Sequence, residues 1–159
     1  MCGRRWGGKE CGANPTDRAK ARVKDHVLSD RRGAPLAVVV TAANVNDGPM
    51  LQALVENQVV VRSAPTSSAP QHLCLDAAYD NAPAHKVVMN ENYTGHIAPR
   101  HGRDQGLPLH PGGKARRWVI EGVHSWHDRF RRLVNNWEKK LARRYAFICL
   151  ANALIAYRM

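Results

Sequence analysis

From Val119 to Trp137 the residues Val119, Val123, Trp126, Phe130, Leu133 and Trp137 recur at spacings of 4, 3, 4, 3 and 4. That period draws one apolar stripe along a helix, and such a stripe has to be buried against another element. The spacing predicts a helix from about 116 to 137. A second helix is expected over about 139–157, with Leu141, Tyr145, Ile148, Asn152 and Ile155 on its inner side. Upstream the pattern is that of a sheet. Residues 35–41 (PLAVVVT) are apolar in succession and β-branched, which suits a strand covered on both faces. With Val23, Val27 and Leu28 before a polar turn at 30–33, residues 22–41 predict two strands around a tight turn. A helix over 47–61, capped by Asn46 or Asp47, and a mobile Ser/Pro/Ala linker at 62–71 come next. A short strand over 72–76 ends on Asp76, and Asp80 is placed to cap a helix running to about 92. A strand at 95–99 and a long Gly/Pro/basic loop at 100–115 complete the path. The order predicts an α/β fold with one sheet. Residues 1–21 read as an irregular basic arm.

The chain has 159 residues, the size of one domain, and a formal net charge of +11 with eight histidines neutral. Such a surplus points to a polyanionic partner. No apolar run approaches a membrane span and the N-terminus has no apolar signal core, so a cytoplasmic protein without membrane contact is expected. The four cysteines, at 2, 11, 74 and 149, form no metal-binding or disulfide spacing, and Cys74 and Cys149 read as core residues.

Three features can carry chemistry. Asp76 closes an apolar strand, where open α/β sheets place their ligand sites, although a helix-capping role explains it equally well. Glu121 shares a helical face with Arg117, His124, Ser125 and Asp128, offset from the apolar stripe, and a solvated ion pair with Arg117 is its plainer explanation. Between 116 and 144 stand nine Lys/Arg against three acids, interleaved with Trp118, Trp126 and Trp137, a pattern suited to tracking phosphates. Arg100 and Arg103 in the preceding loop could extend that surface. Phosphate-binding glycine loops, serine-nucleophile elbows and the H-E-x-x-H zinc motif are absent from the sequence.

Read in order, Asn14-Pro15-Thr16-Asp17-Arg18, residues 30–47 (DRRGAPLAVVVTAANVND), Leu75-Asp76-Ala77-Ala78-Tyr79-Asp80 and residues 117–126 (RWVIEGVHSW) with Arg129-Phe130-Arg131-Arg132-Leu133 resemble bacterial insertion-sequence transposases of the insertion-sequence-five type. The resemblance runs from about residue 12 to the C-terminus. It implies a ribonuclease H-like mixed sheet flanked by helices, over 22–137, with 138–159 as a C-terminal helix packed on it. It implies that Asp76 and Glu121 are the second and third metal-binding catalytic acids and that Arg117 holds phosphate beside them. The cofactor would be Mg2+, with Mn2+ as a substitute, and the substrate double-stranded DNA at transposon ends and target. Arg100, Arg103, Lys114, Arg116, Arg117, His124, Arg129, Arg131, Arg132, Lys139 and Lys140 become the expected DNA contacts. The protein would be nucleoid-associated and would act as a multimer with itself or with a full-length transposase.

The sequence departs from the pattern at Lys114, where a tyrosine is expected, and at Asp128, where a lysine is expected. The family's first aspartate, on a strand before Asn14, has no counterpart, since residues 1–13 hold no aspartate. The expectation is therefore a fold lacking its first, central strand, from a truncated or second-frame product inactive alone. The alternative is a non-catalytic DNA-binding fragment that modulates a full-length transposase. A different ribonuclease H-like nuclease would need Asp30 or Asp47 to replace the absent acid.

Overall fold

The computed structural model of the protein describes residues 11–13, 21–97, 99, 116–135, 138 and 140–159. The expected arm, apart from 11–13 and 21, and the loop at 100–115 lie outside them, as do Trp137 and Lys139. The chain divides into two compact units, residues 1–46 with 118–159, and residues 47–117.

In the first unit β1 (Gly12–Ala13), β2 (Ala21–Ser29) and β3 (Pro35–Ala42) form an antiparallel sheet in the order β1-β2-β3. Val27 faces Val38, and Val23 faces Ala42, with a register shift at Leu28/Ser29. The turn is built by Asp30, whose Oδ1 accepts from the N–H groups of Arg32 and Ala34, both at 2.8 Å. Gly33 takes φ +97°, a left-handed conformation that favours glycine, and a side chain there would also crowd the Trp126 ring at 3.2 Å. Adjacent residues Ala37 and Val38 are both buried, so β3 is covered on both faces.

Helix α3 (Arg117–His127) is followed by a short α4 (Arg131–Val134) and by α5 (Leu141–Tyr157). The predicted single helix over 116–137 is thus broken at 128–130, where Phe130 has extended dihedrals. No glycine or proline marks the break. The apolar spacing continues through it because Phe130 and Leu133 both pack into the core of Val38, Val40, Ile148 and Ala151. The Leu133 carbonyl, left without a helical partner, accepts from Arg144 Nη1 at 3.0 Å.

Arg144 itself is buried on α5 and forms a forked ion pair with Asp25 on β2, Nε to Oδ1 at 3.1 Å and Nη2 to Oδ2. Planar two-point pairing is the geometry that makes a buried guanidinium tolerable. The inner side of α5 is accordingly Arg144, Ile148, Ala151 and Ile155, with Tyr145 exposed, which corrects the stripe expected from sequence. The helix is apolar nearly all round, so periodicity could not choose its buried face.

In the second unit β4 (His72–Leu75) and β5 (Thr94–Ile97) run parallel, joined by α2 (Ala82–Asn90). Parallel neighbours need such a crossover. Leu73, Ile97, Ala84, Val87 and Val88 are buried with Leu51, Leu54 and Val55 of α1 (Met50–Glu56). Helix α1 is shorter than the predicted 47–61, with Pro49 at its N-cap and no side-chain cap. Asn81 rather than Asp80 caps α2, its Oδ1 accepting from Ala84 N–H at 3.0 Å. The linker at 62–71 is tethered: Arg62 bonds Gln71 and Glu91 and lies 3.7 Å over the Tyr93 ring. Cys74 is exposed, on the opposite face of β4 from buried Leu73, and not in the core as expected. The strands form two sheets rather than one, because no strand among the described residues pairs with both sets.

Candidate active site

Asp76 follows the last residue of β4 directly. Its backbone is extended at φ −80° and ψ 175°, and it opens a 3-10 turn over Ala77–Tyr79. Oδ1 accepts from the Ala78 N–H at 2.9 Å, which orients the carboxylate, while the side chain stays open to solvent. Asp76 therefore caps a 3-10 turn rather than the helix itself, and it stands at the C-terminal end of a parallel strand.

Two residues join it within the same unit. The Tyr79 hydroxyl is pushed up to about 12 by burial, then by the charges of Asp47 and Asp76. The two carboxylates and the phenol thus share one neighbourhood. Next to Asp47, a side chain at Gly48 would stand 2.9 Å from Asn81 Nδ2, on the residue that caps α2. Asp47 was legible only as a cap or a substitute acid; its charge on Tyr79 acts between residues 32 positions apart. Asp30, the other early acid, is consumed by its hairpin turn. On the outer face of β4, His72 Nδ1 lies 2.8 Å from His96 Nε2, a pairing across the parallel strands that sequence reading missed.

Glu121 lies on the exposed side of α3, with His124, Ser125 and Asp128 also exposed, while Val119, Val123 and His127 are buried. Of the face predicted for it, His124 and Ser125 share α3 with Glu121, while Asp128 follows the end of that helix and the Arg117 side chain lies outside the described residues. Much of the His124 ring is open to solvent, yet protein surrounds it closely enough to lower its pKa. Desolvation acts first and His127 second, against the opposing pull of Asp25 and Asp128. A neutral His124 at pH 7 is a hydrogen-bond partner rather than a charge for phosphate. His127 is held by Asn152 on α5 at 2.6 Å, so it serves packing.

Of the expected DNA contacts, Arg116, Arg129, Arg131, Arg132 and Lys140 are exposed. Arg132 is engaged by buried Glu138, at 3.0 and 2.6 Å, and lies 5.0 Å over Phe147. Arg144, counted in the basic run, is withdrawn into the Asp25 pair. Arg100, Arg103, Lys114, Lys139 and the Arg117 side chain lie outside the described residues.

Hard divalent cations take carboxylate oxygens, and the Asp76 oxygen not used by Ala78 suits one. Among the described residues no three His, Cys, Asp or Glu side chains gather as a metal-binding group. The described helices include none long and apolar enough to cross a membrane.

Comparison with known proteins places this arrangement in a family. Residues 1–157 match the Transposase DDE domain. This chain belongs to the DDE transposase family. It is 35% identical over 156 residues to a Burkholderia cepacia protein described as a transposase for insertion sequence element IS402, covering 97% of this chain and 72% of that one. No solved structure matches it. The chain is therefore a bacterial insertion-sequence transposase by family, as the ordered motifs implied. Transposase domains of this family use divalent metal ions and act on DNA in transposition.

Proposed function

We propose that this transposase chain cuts and joins double-stranded DNA at transposon ends and target through a ribonuclease H-like site in which Asp76 and Glu121 are the second and third metal-binding acids. The observation that carries the reading is Asp76: a solvent-open carboxylate oriented by Ala78 at the C-terminal end of a parallel strand, inside a family match of nearly full length. Two Mg2+ ions, when bound, would supply activation of a water or 3′-hydroxyl and stabilisation of the leaving oxygen. Asp76 and Glu121 would hold them, Mn2+ being a substitute. Arg117 would orient a phosphate oxygen by charge-assisted hydrogen bonds. Arg129, Arg131 and Lys140 would neutralise backbone phosphates and position the duplex without reading its bases. The protein would work as a multimer, with itself or with a full-length transposase.

In this reading Asp76 and Glu121 supply the second and third acids, and two carboxylates hold a hard divalent cation less well than three. The chain is therefore inactive alone in that reading. That same shortage favours the second reading, a DNA-binding fragment that modulates a full-length transposase. The test is a cutting and strand-joining assay on duplexes carrying the ends of the element, with Mg2+, alongside DNA binding and Mg2+-dependent thermal stabilisation. Binding without cutting, with stabilisation lost in Asp76→Asn and Glu121→Gln, is expected. Cutting by the chain alone would overturn its inactivity, and unchanged stabilisation in both variants would remove the acids from the metal site.

A further inference from the structure

Helix α5 buries one side in the first unit and leaves the other unpartnered among the described residues. The outward line Ala146, Leu150, Ala153 and Tyr157 is exposed, with Leu154 beside it; Leu150 is 57% and Tyr157 89% accessible. No charged residue occurs in the thirteen positions from Tyr145 to Tyr157. A helix apolar all round belongs between two layers of protein.

The outward line has two properties that select its occupant. Its spacings of 4, 3 and 4 are those of a two-helix seam, and its residues alternate small, large, small, large. Placed antiparallel about a two-fold axis midway between Leu150 and Ala153, two such helices set Leu150 against Ala153 of the partner and Tyr157 against Ala146 of the partner. Every large side chain then meets a small one, and the patch is complementary to itself, as an isologous contact requires. Arg143 continues the seam by one step and falls at the C-terminal end of the opposing helix, where the last carbonyls carry partial negative charge. Arg158 lies off the seam. Two copies that each carry +11 repel over most of their surface, so a self-contact has to use an uncharged face, and α5 offers one.

We propose that a second copy of this chain docks antiparallel on the outward face of α5. This deepens the multimer part of the reading above and is independent of the assigned acids. Seventeen residues give a helix of about 25 Å. A single helix pair of that length lies at the small end of specific interfaces, so a concentration-dependent dimer is expected.

The test is sedimentation equilibrium of the full chain and three variants, with circular dichroism to establish that each is folded. Leu150→Ala leaves a void and Ala153→Leu sets two leucines in opposition, and each should weaken dimerisation by about tenfold or more. The exchange Leu150→Ala with Ala153→Leu restores one large residue against one small and should return to within about threefold of the parent. A parent that is monomeric at every concentration, a dimer indifferent to both single changes, or an exchange variant no better than the singles would each overturn the proposal. DNA cutting and Mg2+ stabilisation are read separately, so failure of the functional reading leaves this result standing.

Discussion

Asp25 and Asp76 are the same side chain put to opposite uses. Asp25 sits half-buried on β2 with both oxygens committed to the Arg144 guanidinium, and that pair ties the sheet to α5 across 119 residues of sequence. Asp76 spends one oxygen on the next turn and leaves the rest of its carboxylate to solvent. A carboxylate whose bonding is complete holds a fold together. One that is oriented yet incompletely bonded is available to a ligand. Exposure and leftover acceptor capacity, rather than charge, separate the two.

The contrast breaks most visibly at Asp25. Asp25→Ala should cost about 2–4 kcal/mol, because it strands a buried guanidinium, and urea unfolding followed by circular dichroism will measure it. A loss under about 0.5 kcal/mol would make the pair incidental. Next in size is Asn81→Ala, which removes the α2 cap beside Gly48 and should cost about 1 kcal/mol in the same experiment. Asp76→Asn keeps an oxygen for Ala78 N–H and should change stability by about 0.5 kcal/mol or less, while abolishing stabilisation by Mg2+ in a thermal melt. A large loss of stability there would put Asp76 in the same class as Asp25.

The smallest effect is confined to alkaline solution. Tyr79 is raised from 10.0 to about 12, so its contribution to stability is complete below about pH 10. It declines as the unfolded state ionises first and is lost as pH rises through about 12. Tyr79→Phe should flatten stability against pH over that window, and the slope for the parent should lessen in Asp76→Asn or Asp47→Asn, which remove charges that raise the pKa. Identical slopes in all four proteins would separate the phenol from the carboxylates.

Much of this was legible in sequence. The hairpin of β2 and β3, the strand ending at Asp76 and the final helix follow from local patterning, since each is defined by neighbours within a few residues. The break at 128–130 was not, because Phe130 and Leu133 keep the helical spacing while turning into the core. Nor was the inward face of α5, where a charged Arg144 replaces the apolar Tyr145 that spacing favours. At the site, the position of Asp76 and the exposed face of Glu121 could be read, whereas the nearness of Asp47 to Tyr79 and the His72–His96 contact could not. They join residues 32 and 24 positions apart, the second through a parallel pairing, and no local pattern encodes either.

By itself, then, the sequence determined the element types, the family and the basic character of the chain, because period, motif order and charge are properties of the string. Tertiary structure alone decided which charges serve the fold and which stay available. Arg144 finds Asp25, 119 residues away in the chain, whereas Asp76 keeps an oxygen in solvent. The reason is physical: a charge buried on folding must be paired, and whether it is buried depends on residues far away in the chain.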